Sequence, residues 1–264
     1  MRRGAWLAVL LAASASRAGG ADDPLARART LYNQGQFVAA VSAAEQARLV
    51  PARADSADLI AARAYLERYR ESSASDDLTN ARERLRRLDP QRLAPAERGE
   101  FVIGLGEALY FDAAYGAAAE VFLTAIARDD QPFGAREKAL DWWATAVDRD
   151  ARPRSELERQ TMYQRIRDRM REELGSHPTS ATAAYWIVAA ARAQGDLQAA
   201  WDAAEAAWVR APLTINHGTT LRADLDQLMQ RAIIPERSKA TGQPPDNLRL
   251  EWDKFKERWK GEES

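Results

Sequence analysis

The residues able to do chemistry are few. The chain has no cysteine and only two histidines. Thiolate nucleophiles, disulfides and thiolate metal sites are therefore excluded. His177 precedes Pro178 and His217 precedes Gly218, so both read as exposed loop residues. Neither has a histidine or acidic partner at metal-ligand spacing along a helix. No G-x-S-x-G, P-loop or G-x-G-x-x-G occurs where a strand would feed a turn and a helix. Gly104-x-Gly106 falls inside a helical pattern and reads as a packing feature. Carboxylates are plentiful, but none pair in a way that separates an acid and a base from a solvated helix surface. The expectation is a protein that is not an enzyme, with no catalytic residues, no cofactor and no metal.

Two surface features remain. Arg149, Arg152, Arg154, Arg159, Arg165, Arg167, Arg169 and Arg171 crowd one helix and its approach. Glu156, Glu158, Asp168, Glu172 and Glu173 are interleaved with them, which reads as a salt-bridged, solvated face rather than an anion site. Tryptophan is also concentrated, with seven of the eight beyond residue 140. Trp201 and Trp208, seven apart, share a helix face and read as core. Trp142 and Trp143 are adjacent and must point in different directions.

The elements that position these residues are helical. No Val/Ile-rich alternating run suggests a strand, and apolar residues recur at three- and four-residue spacings throughout. With 29% charged and 46% hydrophobic residues the composition is that of a soluble globular protein. A formal net charge of −1 gives no electrostatic case for nucleic acid. Residues 1–21 read as a secretory signal: Arg2 and Arg3, an apolar run from Ala5 to Ala13, then small residues up to Ala21. Cleavage after Ala21 removes Arg2, Arg3 and Arg17 and no acid, taking the charge from −1 to −4. No cysteine is available for a lipid anchor, and no later stretch is apolar enough to span a bilayer, so no stable membrane insertion is expected after cleavage. A periplasmic or secreted location follows.

The clearest unit is 183–212. Gly195 can take the left-handed conformation that ends one helix, and Asp196 can cap the next. Leu197, Ala200, Trp201, Ala204, Ala207 and Trp208 then line one face, and Pro212 stops the run. Gly195, Asp196, Leu197, Ala200, Ala207 and Pro212 resemble the tetratricopeptide repeat (TPR), a helix–turn–helix unit of about 34 residues. Ala204 and Val188 depart from the family's preferences, so the repeat is degenerate. The same plan recurs at 24–51, where Gln34-Gly35-Gln36-Phe37-x-x-Ala40 repeats the turn, and at 96–130, where Ala113 replaces the turn glycine.

Between these, 55–69 and the segment opened by Asp76 and Asp77 read as helices, the latter ended by Asp89-Pro90. Residues 133–147 form a seventh helix. Ser155 and Glu158 make a capping box for the eighth, which Gly175 closes. Leu221, Leu225 and Leu228 mark an eleventh, 234–245 is a Pro- and Gly-bearing connection, and Leu248, Trp252, Phe255 and Trp259 face one way on a last helix near 246–260. The total is about twelve helices. The resemblance implies an all-α, right-handed superhelical solenoid over 22–260, ended by a capping helix.

The resemblance also implies a function, that of an exported scaffold binding a peptide or partner protein on its concave face. In the family the first helix of each hairpin lines that face. Transferred by position, this places Arg29, Tyr32 and Asn33 there, then Glu100, Ile103, Glu107, Tyr110 and Phe111, then Tyr185 and Arg192. Tyr110 and Phe111 could equally pack on a neighbouring helix. An accessory subunit that positions a cell-envelope enzyme or a glycan is the alternative. A helical hydrolase, similar to the helical part of lytic transglycosylases, would need a Glu-Ser close to a Met-Gln segment. Here Glu71-Ser72 and Met229-Gln230 lie far apart in the chain.

Overall fold

The computed structural model of the protein describes residues 23–127 and 133–260, and the expected signal segment 1–21 lies outside them. Every regular element among the described residues is helical. The chain groups into two compact units, one up to Ala113 and one from Ala114 onward. The hairpin expected over 96–130 is divided between them, its first helix in one unit and its second in the other.

The first unit contains α1 (Pro24–Asn33), α2 (Phe37–Arg48), α3 (Ala54–Ser72), α4 (Ser75–Arg87) and α5 (Pro95–Phe111). Asp23 caps α1 by accepting from the Leu25 N–H at 3.0 Å, with Pro24 next, where its missing N–H costs nothing. Gly35 turns the chain into α2 with φ of 72°. Asp89 accepts from the Gln91 N–H at 2.9 Å and holds the short turn that separates α4 from α5. Each helix packs on the next, and α3 also touches both α1 and α5. Ala28, Ala43, Ala44, Ala47, Ala57 and Ala61 fill the α1–α3 contacts, and their small side chains let the backbones close up. Leu59, Leu66, Leu78, Leu85 and Phe101 form a bulkier core where α3, α4 and α5 meet.

The second unit contains α6 (Tyr115–Ile126), α7 (Phe133–Ala151), α8 (Glu156–Ser176), α9 (Ala181–Ala193), α10 (Leu197–Arg210), α11 (Thr219–Leu228), α12 (Ile234–Thr241) and α13 (Pro245–Arg258). Ser155 and Glu158 form the expected capping box: the Ser155 N–H donates to Glu158 Oε2 at 3.0 Å, and the Glu158 N–H donates back to Ser155 Oγ at 3.4 Å. The α9–α10 turn is also as expected. Gly195 has φ of 77°, and Asp196 Oδ1 accepts from the Ala199 N–H at 3.1 Å. Alternate helices touch here too, α7 with α9 and α9 with α11. The core runs from Ala200 and Trp201 through Leu225 and Met229 to Trp252 of α13. Trp252 meets Trp201, Trp208 and Phe255 with ring centroids 5.4–6.2 Å apart, so the last helix seals this core. Trp259, expected on that same face, falls just past the helix end and is exposed.

The connection expected over 234–245 is largely helix. A π turn, Met229–Ile233, carries α11 directly into α12, which has Pro235 in its first turn. A proline inside a helix lacks an N–H and crowds the carbonyl four residues back. The wider π turn just before it absorbs that conflict, so the helix continues. The actual break comes at Gly242, with φ of 74°.

Candidate functional site

In the first unit the residues transferred from the TPR register fall into two groups. Arg29, Tyr32, Asn33, Glu100, Tyr110 and Phe111 reach the surface at least in part. Ile103 and Glu107 do not: Glu107 is 1% exposed and Ile103 3%. Both correct the expectation that they face a partner. α5 turns these positions onto α3, where Glu107 pairs with the equally buried Arg63 at 3.4 Å. Gly104, one turn before, has no side chain, and a Cβ there would stand 3.2 Å from the Arg63 stem. Arg63 also donates to Tyr32 Oη at 3.2 Å and to the Glu100 carbonyl at 3.3 Å. Burial alone would lower the Arg63 pKa, but Glu107 and Tyr32 outweigh it and hold the guanidinium firmly charged. Arg29 is taken up by Glu97. Phe111 packs edge-on against Tyr69 at 4.9 Å, the intramolecular packing that was its alternative reading.

In the second unit a cavity of about 520 Å³ opens beside Tyr185. That volume lies within the range of small-ligand sites, roughly 300–1,000 Å³. Its walls come from α7 through Asp141, from the start of α9 through Thr182 and Tyr185, and from α11 through Thr220 and Asp224. Thr214, Ile215 and Asn216 close one side. That loop holds three successive left-handed residues, Asn216, His217 and Gly218, at φ of 55°, 51° and 75°. Two of them are not glycine, so the conformation is costly and must be held by its surroundings. Thr219 Oγ1 donates to the Asn216 carbonyl at 2.7 Å, and Thr214 Oγ1 to the Ala211 carbonyl at 2.8 Å.

α7 fixes α9 at two points. Glu137 accepts from Ser180 Oγ at 2.5 Å and from the Thr182 N–H at 3.0 Å, capping α9 from outside. One turn along, Asp141 accepts from Trp186 Nε1 at 2.8 Å. Asp141 is exposed on the cavity wall, and partial desolvation by the neighbouring helices raises its pKa against the pull of the Trp186 hydrogen bond. The Asp224 carboxyl is raised by partial burial and then by the nearby Asp141 charge. The Tyr185 hydroxyl is raised by burial, then by Asp224 and Asp141. The cavity is thus lined by two carboxylates, and among the described residues no basic side chain lines it.

Tyr185 is the one transferred residue that reaches this cavity. Arg192, two turns further along α9, is instead bound in a forked pair to Glu236 of α12 at 2.5–3.1 Å. Asp141 and Asp224 were not selected from the sequence. No regular spacing links them to Tyr185, and the one local signal was Asn216-His217-Gly218, which marks a left-handed turn.

The arginine-rich helix is the salt-bridged face expected. Arg152 pairs with Asp148, Arg154 with Asp150, Arg159 with Glu156, Arg165 with Glu120, Arg169 with Glu172 and Arg171 with Asp168. His177 differs from expectation: it ends α8, and its Nδ1 lies 2.9 Å from the buried Glu173. Burial would raise the Glu173 pKa, but Arg136, held by two hydrogen bonds at 2.7 and 2.8 Å, together with His177 and Arg169, lowers it overall. Among the described residues no cluster of three His, Cys, Asp or Glu has metal-binding geometry, and no helix is long and apolar enough to cross a membrane. No protein-family model matches the sequence, and no curated protein matches it.

Proposed function

We propose that this chain is an exported interaction scaffold whose TPR-like hairpins, in the right-handed solenoid register, present a groove to a peptide or partner-protein segment. The observation that carries the reading is the cavity on α7, α9 and α11. These alternate helices of the second unit touch one another, and Tyr185 stands at the centre with a ring to contribute area and a hydroxyl to direct contacts. A smaller recess continues from Tyr185 and Asp224 along Gln227 and Arg231, which lengthens the groove as an extended segment requires. The scaffold would do no chemistry of its own and would use no cofactor or metal.

The test is capture from a cell-envelope fraction on the immobilised mature protein, beside a Tyr185→Ala variant of unchanged helical content. A discrete protein held by the parent and lost by the variant supports the reading. Equal capture by both places the partner elsewhere, and retention on peptidoglycan alone favours the accessory role. Export is tested separately: mature protein from the envelope should begin near Gly19 or Asp22, and an intact Met1 refutes it.

A further inference from the structure

α10 carries two helical seams, and only one of them is used inside the protein. Ala200, Trp201, Ala204 and Ala207 point inward and are buried. On the other side Ala199, Asp202, Ala206, Val209 and Leu213 follow at spacings of three, four, three and four, the pattern by which one helix meets another. A 3-10 turn, Ala211–Leu213, carries the chain on past Arg210. Ala206 is exposed, Val209 is 36% exposed and Leu213 60%. A recess flanks this outer seam on each side. One of about 180 Å³ is walled by Leu174 and Ile187, and one of about 630 Å³ by Phe255 and the half-exposed Trp259. Ala206 and Arg210 line both. Single exposed apolar side chains are ordinary, but an apolar seam set between two recesses is a surface for a partner.

The order of side chains along the seam fits a second copy of itself. Ala206 is at the middle. Asp202 and Arg210 are equidistant from it on opposite sides, as are Ala203 and Val209, and Ala199 and Leu213. An identical helix laid antiparallel, with Ala206 on the two-fold axis, therefore sets Asp202 level with Arg210 of the second copy, Val209 with Ala203 and Leu213 with Ala199. Each charge meets its opposite, each larger apolar group meets an alanine, and every contact is made twice. A parallel copy would instead bring Asp202 to Asp202 and Arg210 to Arg210. Among the described residues neither charge is already paired: no ion pair or hydrogen bond engages Arg210, and Asp202 accepts only from Gln198 Nε2, at 2.7 Å. Glu205, beside the seam, is held by Trp201 Nε1 at 3.1 Å.

We propose that the outer face of α10 is the contact of a two-fold homodimer, packed antiparallel on its own copy about Ala206. The proposal is independent of the scaffold reading, since no seam residue lines the cavity beside Tyr185. The contact is small. α10 has 14 residues. That makes it about 21 Å long, and a face of that length falls below about 1,200 Å², the class of weak, reversible interfaces.

The experiment uses the full mature chain in sedimentation equilibrium, at concentrations up to about 1 mM, where a contact of this class is populated. The expected result is a reversible monomer–dimer equilibrium. Asp202→Arg and Arg210→Asp should each weaken it by about tenfold or more, because each places two like-charged pairs in the contact. The double exchange Asp202→Arg/Arg210→Asp restores both pairs and should restore the dimer, a recovery that a merely misfolded variant would not show. The chain has no cysteine, so Ala206→Cys gives a second readout. Two such cysteines face each other on the axis and should cross-link about tenfold faster or more than Lys239→Cys on α12. A chain that stays monomeric throughout overturns the proposal. So does a dimer that ignores the single charge reversals, a double exchange that fails to recover, or equal cross-linking at the two cysteine positions.

Discussion

Replacing Glu107 by leucine should destabilise the first unit severely, and the geometry gives the scale. Arg63 is 5% exposed and Glu107 1%, so the guanidinium has no route to water once its carboxylate is gone. It keeps the Tyr32 hydroxyl and the Glu100 carbonyl, two neutral acceptors at 3.2 and 3.3 Å, and its Nε has no hydrogen-bond partner. An arginine cannot shed its proton to escape. Breaking a buried ion pair from one side costs about 3–5 kcal/mol, against a total stability of roughly 5–15 kcal/mol for a domain. The Arg63→Met/Glu107→Leu double variant removes both charges and should lie within about 1–2 kcal/mol of the parent. The assay is urea unfolding followed in parallel by far-ultraviolet circular dichroism and by tryptophan fluorescence. All tryptophans among the described residues lie in the second unit, so an early loss of helix signal without a fluorescence change would localise the damage. A Glu107→Leu protein that unfolds with the parent, or a double variant as weak as the worse single one, refutes the reasoning.

Three further outcomes are expected. Asp141→Asn keeps an acceptor for Trp186 but removes a charge whose pKa is raised by burial; such a group adds stability only when protonated and loses it as pH rises through its folded value. The variant should therefore melt higher than the parent at neutral pH, and the gain should vanish below about pH 4, where the parent is protonated too. Ala113 holds φ of 60° where the TPR pattern has glycine, so Ala113→Gly should stabilise by about 0.5–1 kcal/mol, the relief of left-handed strain less the added chain entropy; a lower unfolding midpoint would contradict this. Ala200 is wholly buried in the second core, and Ala200→Phe should cost about 1–3 kcal/mol by overpacking, read as a lower melting temperature.

The parts of the fold that could be read in the sequence are those fixed by neighbours in the chain. Gly195 followed by Asp196, Ser155 three residues before Glu158, and Asp89 before Pro90 each satisfy backbone groups within a few residues, so local chemistry determines them. What could not be read depends on distant partners. Glu107 lies at a position that the repeat register assigns to an open face, and only Arg63 arriving from α3 makes it interior. Pro235 signals a break by itself, and only the π turn before it allows the helix to run on. The cavity is the strongest case, since Asp141, Tyr185, Asn216 and Asp224 come from three helices and a loop. Their juxtaposition depends on how those elements pack, which no window of sequence contains.

The two carboxylates that α7 extends to α9 have a mechanical consequence. A single tether between helices is a pivot, about which one can rotate or slide. Glu137 on the start of α9 and Asp141 on Trp186 are one turn apart, and together they act as two rungs of a ladder. Sliding α9 by a single residue, about 1.5 Å, would spoil both at once, and rotating it would swing Trp186 away while Ser180 and Thr182 were still held. Tyr185 rides on this braced segment, so its ring enters the cavity at a fixed angle before any occupant arrives. A guest would meet a wall already standing, and little of its binding free energy would be consumed in ordering the host.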